Sequence, residues 1–300
     1  MIRRGASALF ACAAVAAASG CLAFHSGPMP GEPAEATYTR VEGARVRFLD
    51  VGRGPPVVLL HGFASSIENW ARVIPDLART HRVIALDLKG FGWTDRPNAD
   101  YSPRAQAELV KALLDERGVG PAALVAHSWG SSVALAFALA FPERVTKLAL
   151  YDAWVYESQL PSMFQLSRAK GLGEVLFALF YAERADERIA LGFYDPAIVT
   201  QQLVDDVEVA FDRPGTKAAA LATVRGMDYA KVEGSYGSIA APTLLLWGRE
   251  DVVTPPSIGE RLVRQLPNAR LVVYPRCGHF PMLEAVAESN RDLFRFLEAP

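Results

Sequence analysis

Short uninterrupted apolar runs alternate with longer stretches of helical periodicity along most of the chain. The runs at 56–60, 82–87, 122–127, 145–151, 243–247 and 271–274 are strand-length and lack polar alternation. That pattern belongs to strands covered on both faces. Between them, 67–78, 104–117, 129–140, 258–266 and 286–297 repeat apolar residues at the spacing of one helix face. Ahead of them, 38–41 and 46–50 alternate around Glu42-Gly43, which predicts an opening hairpin. The expected fold is α/β: a mostly parallel twisted sheet covered by helices on both faces.

The alternation stops between 153 and 239. This stretch is helical in period, rich in aromatics and without a clear strand; Leu176, Phe177, Leu179, Phe180 and Tyr181 crowd together. It reads as a helical insertion dividing a core of 38–152 and 240–300.

Composition narrows the function classes. At 300 residues and 51% hydrophobic, the chain can bury a large core in one domain with an insertion. The net charge is -2 with no basic block, so no nucleic-acid partner is expected. Five histidines without acidic or cysteine clustering at ligand spacing predict no metal site, and no cofactor is expected. His25, His81 and His127 read as tether, surface and supporting groups.

The N-terminus stands apart. Arg3 and Arg4 precede an Ala-rich run over 6–18, too short for the roughly 20 residues of a membrane span. It predicts an export signal over 1–20. Ala18-Ser19-Gly20-Cys21 resembles a bacterial lipobox, which implies cleavage before Cys21 and acylation of its thiol; ordinary cleavage after Ala16-Ala17-Ala18 is the alternative. Several acyl chains would give stable anchoring, so a membrane-anchored cell-envelope protein is expected, with a soluble secreted or periplasmic form as the alternative. Residues 21–37, rich in Gly, Pro and small residues, read as a tether. Cys12 lies in the signal and Cys21 is the lipid candidate, so only Cys277 remains in the mature body; it cannot form an internal disulfide and reads as a small buried hydrophobe.

The strongest chemical signal is Leu124-Val125-Ala126-His127-Ser128-Trp129-Gly130, where an apolar strand runs into a helix through Ser128. A strained nucleophile turn needs small residues two before and two after the serine, and Ala126 and Gly130 meet that need. His61-Gly62-Phe63 follows the first buried strand, so the backbone N–H groups of Phe63 and Trp129 are the expected oxyanion donors. His61 itself reads as a loop support. Asp251, in Gly248-Arg249-Glu250-Asp251, and His279, in Gly278-His279-Phe280-Pro281, complete the order Ser, Asp, His. Asp152 also ends a strand and is the alternative acid. Glu250 is expected to point away, Asp87 to tie down the Gly90-Phe91-Gly92 turn, and Glu284 to sit in the first turn of the last helix.

In these motifs and their order the chain resembles the α/β-hydrolase superfamily from about residue 38 to the C-terminus. The resemblance implies the α/β-hydrolase fold, a cap over the site at 153–239, and a serine hydrolase working through an acyl-enzyme on a small-molecule substrate. Trp129 is shared with haloalkane dehalogenases and epoxide hydrolases, but those use Asp as nucleophile. Proline iminopeptidases share Ser-Trp-Gly-Ser but carry Gly-Gly-Pro where this chain has Gly62-Phe63-Ala64. The expectation is a carboxylesterase for small or medium apolar acyl groups. A peptidase, lactonase or meta-cleavage carbon–carbon hydrolase stands as the alternative, and a non-catalytic binding protein on the same scaffold as the reading from another class.

Overall fold

A computed structural model describes residues 22–299, apart from 182 and 184. The expected signal over 1–20 and lipidation at Cys21 lie outside the described residues.

Eight strands form one sheet: β1 (Thr37–Val41), β2 (Ala44–Val51), β3 (Pro56–Leu60), β4 (Arg82–Leu86), β5 (Ala122–His127), β6 (Val145–Tyr151), β7 (Thr243–Gly248) and β8 (Ala269–Tyr274). Their order is β1-β2-β4-β3-β5-β6-β7-β8. β1 and β2 form the hairpin, and β2 joins β4 antiparallel. Every other neighbour is parallel. The hairpin turns on Glu42 (φ 48°) and Gly43 (φ 73°), both left-handed, as a two-residue turn matched to strand twist requires.

Alternate residues of each buried strand feed two apolar layers. Val58, Leu60, Leu124, Ala126, Leu148 and Leu150 face helices Pro103–Glu116 and Trp129–Ala140. Val57, Leu59, Ala123, Val125, Leu244 and Leu246 face Trp70, Leu77 and helix Val286–Glu298. The uninterrupted apolar runs therefore reflect a sheet buried on both sides. Since β3 and β5–β8 run parallel, the loops after them gather at one edge.

Two expectations need correction. The helix over 67–78 is broken into a 3₁₀ turn, Ile67–Trp70, and a short helix, Ile74–Leu77. Pro75 lacks the N–H that a continuous helix would use there and is tolerated only at a new helix start. Residues 22–36 are also not a free tether. His25 and Arg96 exchange backbone hydrogen bonds (2.9 and 2.7 Å), Met29 is buried, and Glu32 forks onto Arg45 (2.7 and 2.8 Å). Phe24 stacks on Tyr101 with centroids 6.2 Å apart. These anchors have long-range partners, which local periodicity does not register.

Between β6 and β7 the described elements are helical, including Ser162–Ser167, Leu172–Phe180, Ala185–Leu191, Gln201–Asp212 and Thr216–Gly226. No helix among the described residues is long and apolar enough to cross a membrane.

Candidate active site

β5 ends at His127 and the next helix starts at Trp129, so Ser128 alone makes the turn, at φ 51° and ψ −123°. A non-glycine residue holds such a conformation only when its surroundings enforce it. Here Ser128 N–H donates to Tyr151 O (2.9 Å), while Ser128 O accepts from Ser131 N–H (2.9 Å) and Trp154 N–H (3.1 Å). The small residue at 130 has a steric cause: a Cβ at Gly130 would stand 2.4 Å from His61 O.

The loop after β8 brings His279 to this turn. Its Nε2 lies 3.0 Å from Ser128 Oγ and its Nδ1 2.7 Å from Asp251 Oδ2; all three residues are buried. The Asp251 carboxylate also accepts from the N–H groups of Val253 (2.7 Å) and Thr254 (3.0 Å) and from the Thr254 hydroxyl (2.6 Å). Burial alone would raise its pKa, but the adjacent His279 and the Thr254 bonds hold it below the ordinary value.

Asp152 behaves oppositely. Wholly enclosed and close to the Asp251 charge, its carboxyl is pushed well above the ordinary range, while Oδ1 accepts from Gly248 N–H at 2.9 Å. Asp251, rather than Asp152, is therefore the acid hydrogen-bonded to His279. Asp152, Asp251 and His279 place ligand-type atoms within 4.8 Å of one another. Within this cluster His279 Nδ1 is paired with Asp251 Oδ2 at 2.7 Å.

The His61-Gly62-Phe63 segment lies against Ser128: a Cβ on Gly62 would sit 3.1 Å from both Ser128 Cβ and His127 Nδ1. His61 bridges the loop, its Nδ1–H donating to Gly62 O (2.7 Å) and Nε2 accepting from Leu88 N–H (2.9 Å). Burial lowers its pKa, and this bonding pattern is that of the neutral ring. Trp129 opens its helix, so its N–H has no intrahelical acceptor. His127 takes a hydrogen bond from Asn69 Nδ2 (3.2 Å) and donates from Nε2 to His279 O (2.8 Å). Burial first, then the neighbouring His279, hold it well below the ordinary value.

The supporting carboxylates are specific. Asp87 accepts from Ile67 N–H and Trp93 N–H, both at 2.8 Å, and so fastens the turn that contains Gly92. Glu250 is tied to Cys277 N–H (3.0 Å). Glu284 closes the short helix Pro281–Glu284 and accepts from Gly278 N–H (2.9 Å) and Tyr194 N–H (2.7 Å). Burial pushes the Cys277 thiol pKa up. Sequence reasoning missed the roles of Asn69 and Thr254 and the second partner of Glu284. Thr254, three residues past Asp251, sits at a recognisable Asp-turn spacing; the others have no local signal.

The insertion meets the site in two places. Phe63 packs with Phe91, Trp129, Phe164 and Tyr181 at centroid distances of 5.3–6.4 Å. Phe164 extends this ring cluster to Trp154 and Phe177. On the other side, Gly192 O accepts from His279 N–H (2.6 Å), and Phe193 stacks on Phe280 at 4.7 Å.

A family model described as the alpha/beta hydrolase fold matches residues 55–286. The 2-hydroxy-6-oxo-2,4-heptadienoate hydrolase of Pseudomonas putida is 30% identical over 279 residues, spanning 85% of this chain and 92% of the relative. Among solved structures, a meta-cleavage product hydrolase of Pseudomonas fluorescens is similar at a TM-score of 0.77 and 29% identity, over 87% of this chain and 97% of that one. A membrane phospholipase A, described as a bacterial virulence factor, is similar at 0.73 and 25%, over 97% of this chain and 91% of that one.

Proposed function

The chain belongs to the alpha/beta hydrolase family, and from that premise we propose a serine hydrolase that cleaves carboxylic esters of apolar acyl groups through an acyl-enzyme. The observation that carries it is the continuous Ser128 Oγ–His279 Nε2 and His279 Nδ1–Asp251 Oδ2 pairing, at 3.0 and 2.7 Å. His279 takes the Ser128 proton as Oγ attacks the acyl carbon, then delivers it to the leaving alkoxide; Asp251 holds Nδ1–H and stabilises the imidazolium. The N–H groups of Phe63 and Trp129 receive the tetrahedral oxyanion. Water, activated by the same ring, releases the acid. The uncharged ring cluster beside Phe63 suits an apolar acyl chain.

The meta-cleavage relatives favour a second reading, hydrolysis of a carbon–carbon bond in a vinylogous diketone. Such substrates carry carboxylate, as the relative's heptadienoate name states; the rings packed on Phe63 favour an apolar acyl chain, and the buried Arg96 guanidinium lies within electrostatic reach of Tyr181 at their edge. Membrane anchoring through Cys21 belongs to the same proposal. Its support is the N-terminal sequence and the similarity to a membrane phospholipase over a larger share of the chain.

A fluorophosphonate probe tests the nucleophile: wild type labels and Ser128→Ala does not. An unlabelled, folded wild type overturns the reading. Turnover of a vinylogous diketone well above that of butyrate and octanoate esters would favour the carbon–carbon reading.

A further inference from the structure

Exposed large apolar side chains are not scattered over this molecule. Among the described residues eight of ten lie in the insertion, from Leu166 to Val232, and the other two are Val252 and Val253, just after Asp251. Single exposed apolar residues are ordinary; their concentration on one element needs a cause.

Helix Leu172–Phe180 is the centre of this asymmetry. Its sequence, LGEVLFALF, has one charged residue. That residue, Glu174, is neutralised by a fork onto Arg225 (both 2.9 Å) and also caps Gly171 N–H at 2.7 Å. The inner face is fixed: Phe177 is fully buried and packs on Phe164 and Tyr181 in the ring cluster. The outer face repeats Leu172, Val175, Leu176 and Leu179 at i, i+3, i+4 and i+7. Leu172 is 43% and Leu179 59% exposed, and Leu166 on the preceding helix is 55% exposed. A helix apolar all round belongs in a core or in lipid, not at a water interface.

The start of the described chain indicates which. Leu22 and Phe24 line a cavity of about 500 Å³ together with Tyr101, Glu174, Leu221 and Arg225. Leu22, the first described residue, thus enters the fold beside this helix; the sequence before it carries the apolar run over 6–18 and Cys21. We propose that the outer face of Leu172–Phe180, with Leu166, rests in the surface of a lipid bilayer, and that the enzyme draws long-chain acyl esters from that bilayer. The helix then has both faces in use: one in the acyl region of the membrane, the other on the ring cluster that reaches Phe63 and the nucleophile turn. This rests on the ester reading and names its substrate class.

The test uses full-length protein with vesicles of phosphatidylethanolamine and phosphatidylglycerol. Hydrolysis of the vesicle lipid is compared with that of soluble p-nitrophenyl butyrate. Wild type, Leu172→Asn/Leu179→Asn and the control Val232→Asn are measured alongside flotation. The double variant should lower the vesicle-to-soluble activity ratio at least about tenfold, since two leucines no longer bury apolar area in lipid. Soluble turnover and the control should hold. An unchanged ratio overturns the membrane face, as does a change only in oligomeric state, which would make the stripe a contact between copies. Wild-type turnover of the soluble ester with none of the vesicle lipid also overturns it and leaves the ester reading intact. If neither ester is cleaved the ester reading fails. Flotation in a Cys21→Ser background then decides the face: loss in the double variant supports it, and no loss overturns it.

Discussion

Replacing Asp251 and Asp152 by Asn, one at a time, asks which of two enclosed carboxyls carries the charge that catalysis needs. Both are buried, and both place a carboxylate oxygen within 4.8 Å of a His279 ring nitrogen. Asp251 faces Nδ1 at 2.7 Å and is held ionised; Asp152 is driven toward the neutral form and bonds Gly248 N–H. At an effective dielectric of about 20 and a charge separation of about 4 Å, the Asp251–imidazolium attraction is worth about 4 kcal/mol. That alone is about a thousandfold in rate. An amide can also turn its NH₂ to Nδ1 and favour the wrong tautomer, so Asp251→Asn should lower kcat by about 10³–10⁴. Asn at 152 is nearly isosteric with a protonated acid, keeps an oxygen for Gly248 N–H and removes no charge. Asp152→Asn should stay within about tenfold, a difference of about 1.4 kcal/mol or less. The assay is steady-state turnover of p-nitrophenyl butyrate, with urea unfolding to show that each variant is folded. An Asp152→Asn variant that folds and is as impaired as Asp251→Asn would refute the assignment of charge.

Gly130→Ala should destabilise by about 1–3 kcal/mol, because its Cβ would stand 2.4 Å from His61 O and force the His61-Gly62-Phe63 loop outward; chemical denaturation measures it. Stability should also fall as pH drops below about 6.5. His61 and His127 are enclosed in neutral form with lowered pKa values, so the unfolded chain binds more protons there. Each contributes a slope of up to about 1.4 kcal/mol per pH unit, present until the pH reaches its folded pKa. Urea midpoints at several pH values between 7.5 and 5 check this, and a flat profile contradicts it.

Much of the fold was legible because its strands are covered on both faces, which makes them continuous apolar runs with sharp ends. The turn at Ser128 was legible for a related reason: steric demand at Gly130 leaves a compositional trace. What escaped depends on partners far along the chain. Asn69 meets His127 across 58 residues and Glu284 meets Tyr194 across 90, so neither leaves a short motif. Residues 22–36 looked like a tether because Met29 and Phe24 satisfy themselves against Arg96 and Tyr101 rather than against each other. The helix expected over 67–78 failed for a local reason, Pro75, that was visible in the sequence and outweighed the apolar periodicity.

The seam where Gly192 accepts the His279 N–H, and Glu284 holds both Tyr194 and Gly278, has a consequence for inheritance. Insertions on this scaffold look exchangeable, a separate module set between two strands. Here the insertion and the histidine loop share one main-chain bond, His279 N–H to Gly192 O, and both donate to the Glu284 carboxylate, so exchanging either disturbs the other. A graft of residues 153–239 from a relative would carry a foreign 192–194 segment to a loop shaped for this one. His279 would then be displaced from Ser128 although Ser128, His279 and Asp251 were all intact. New specificity in this lineage must come from side chains facing the ring cluster, or from joint replacement of the insertion and the segment after β8.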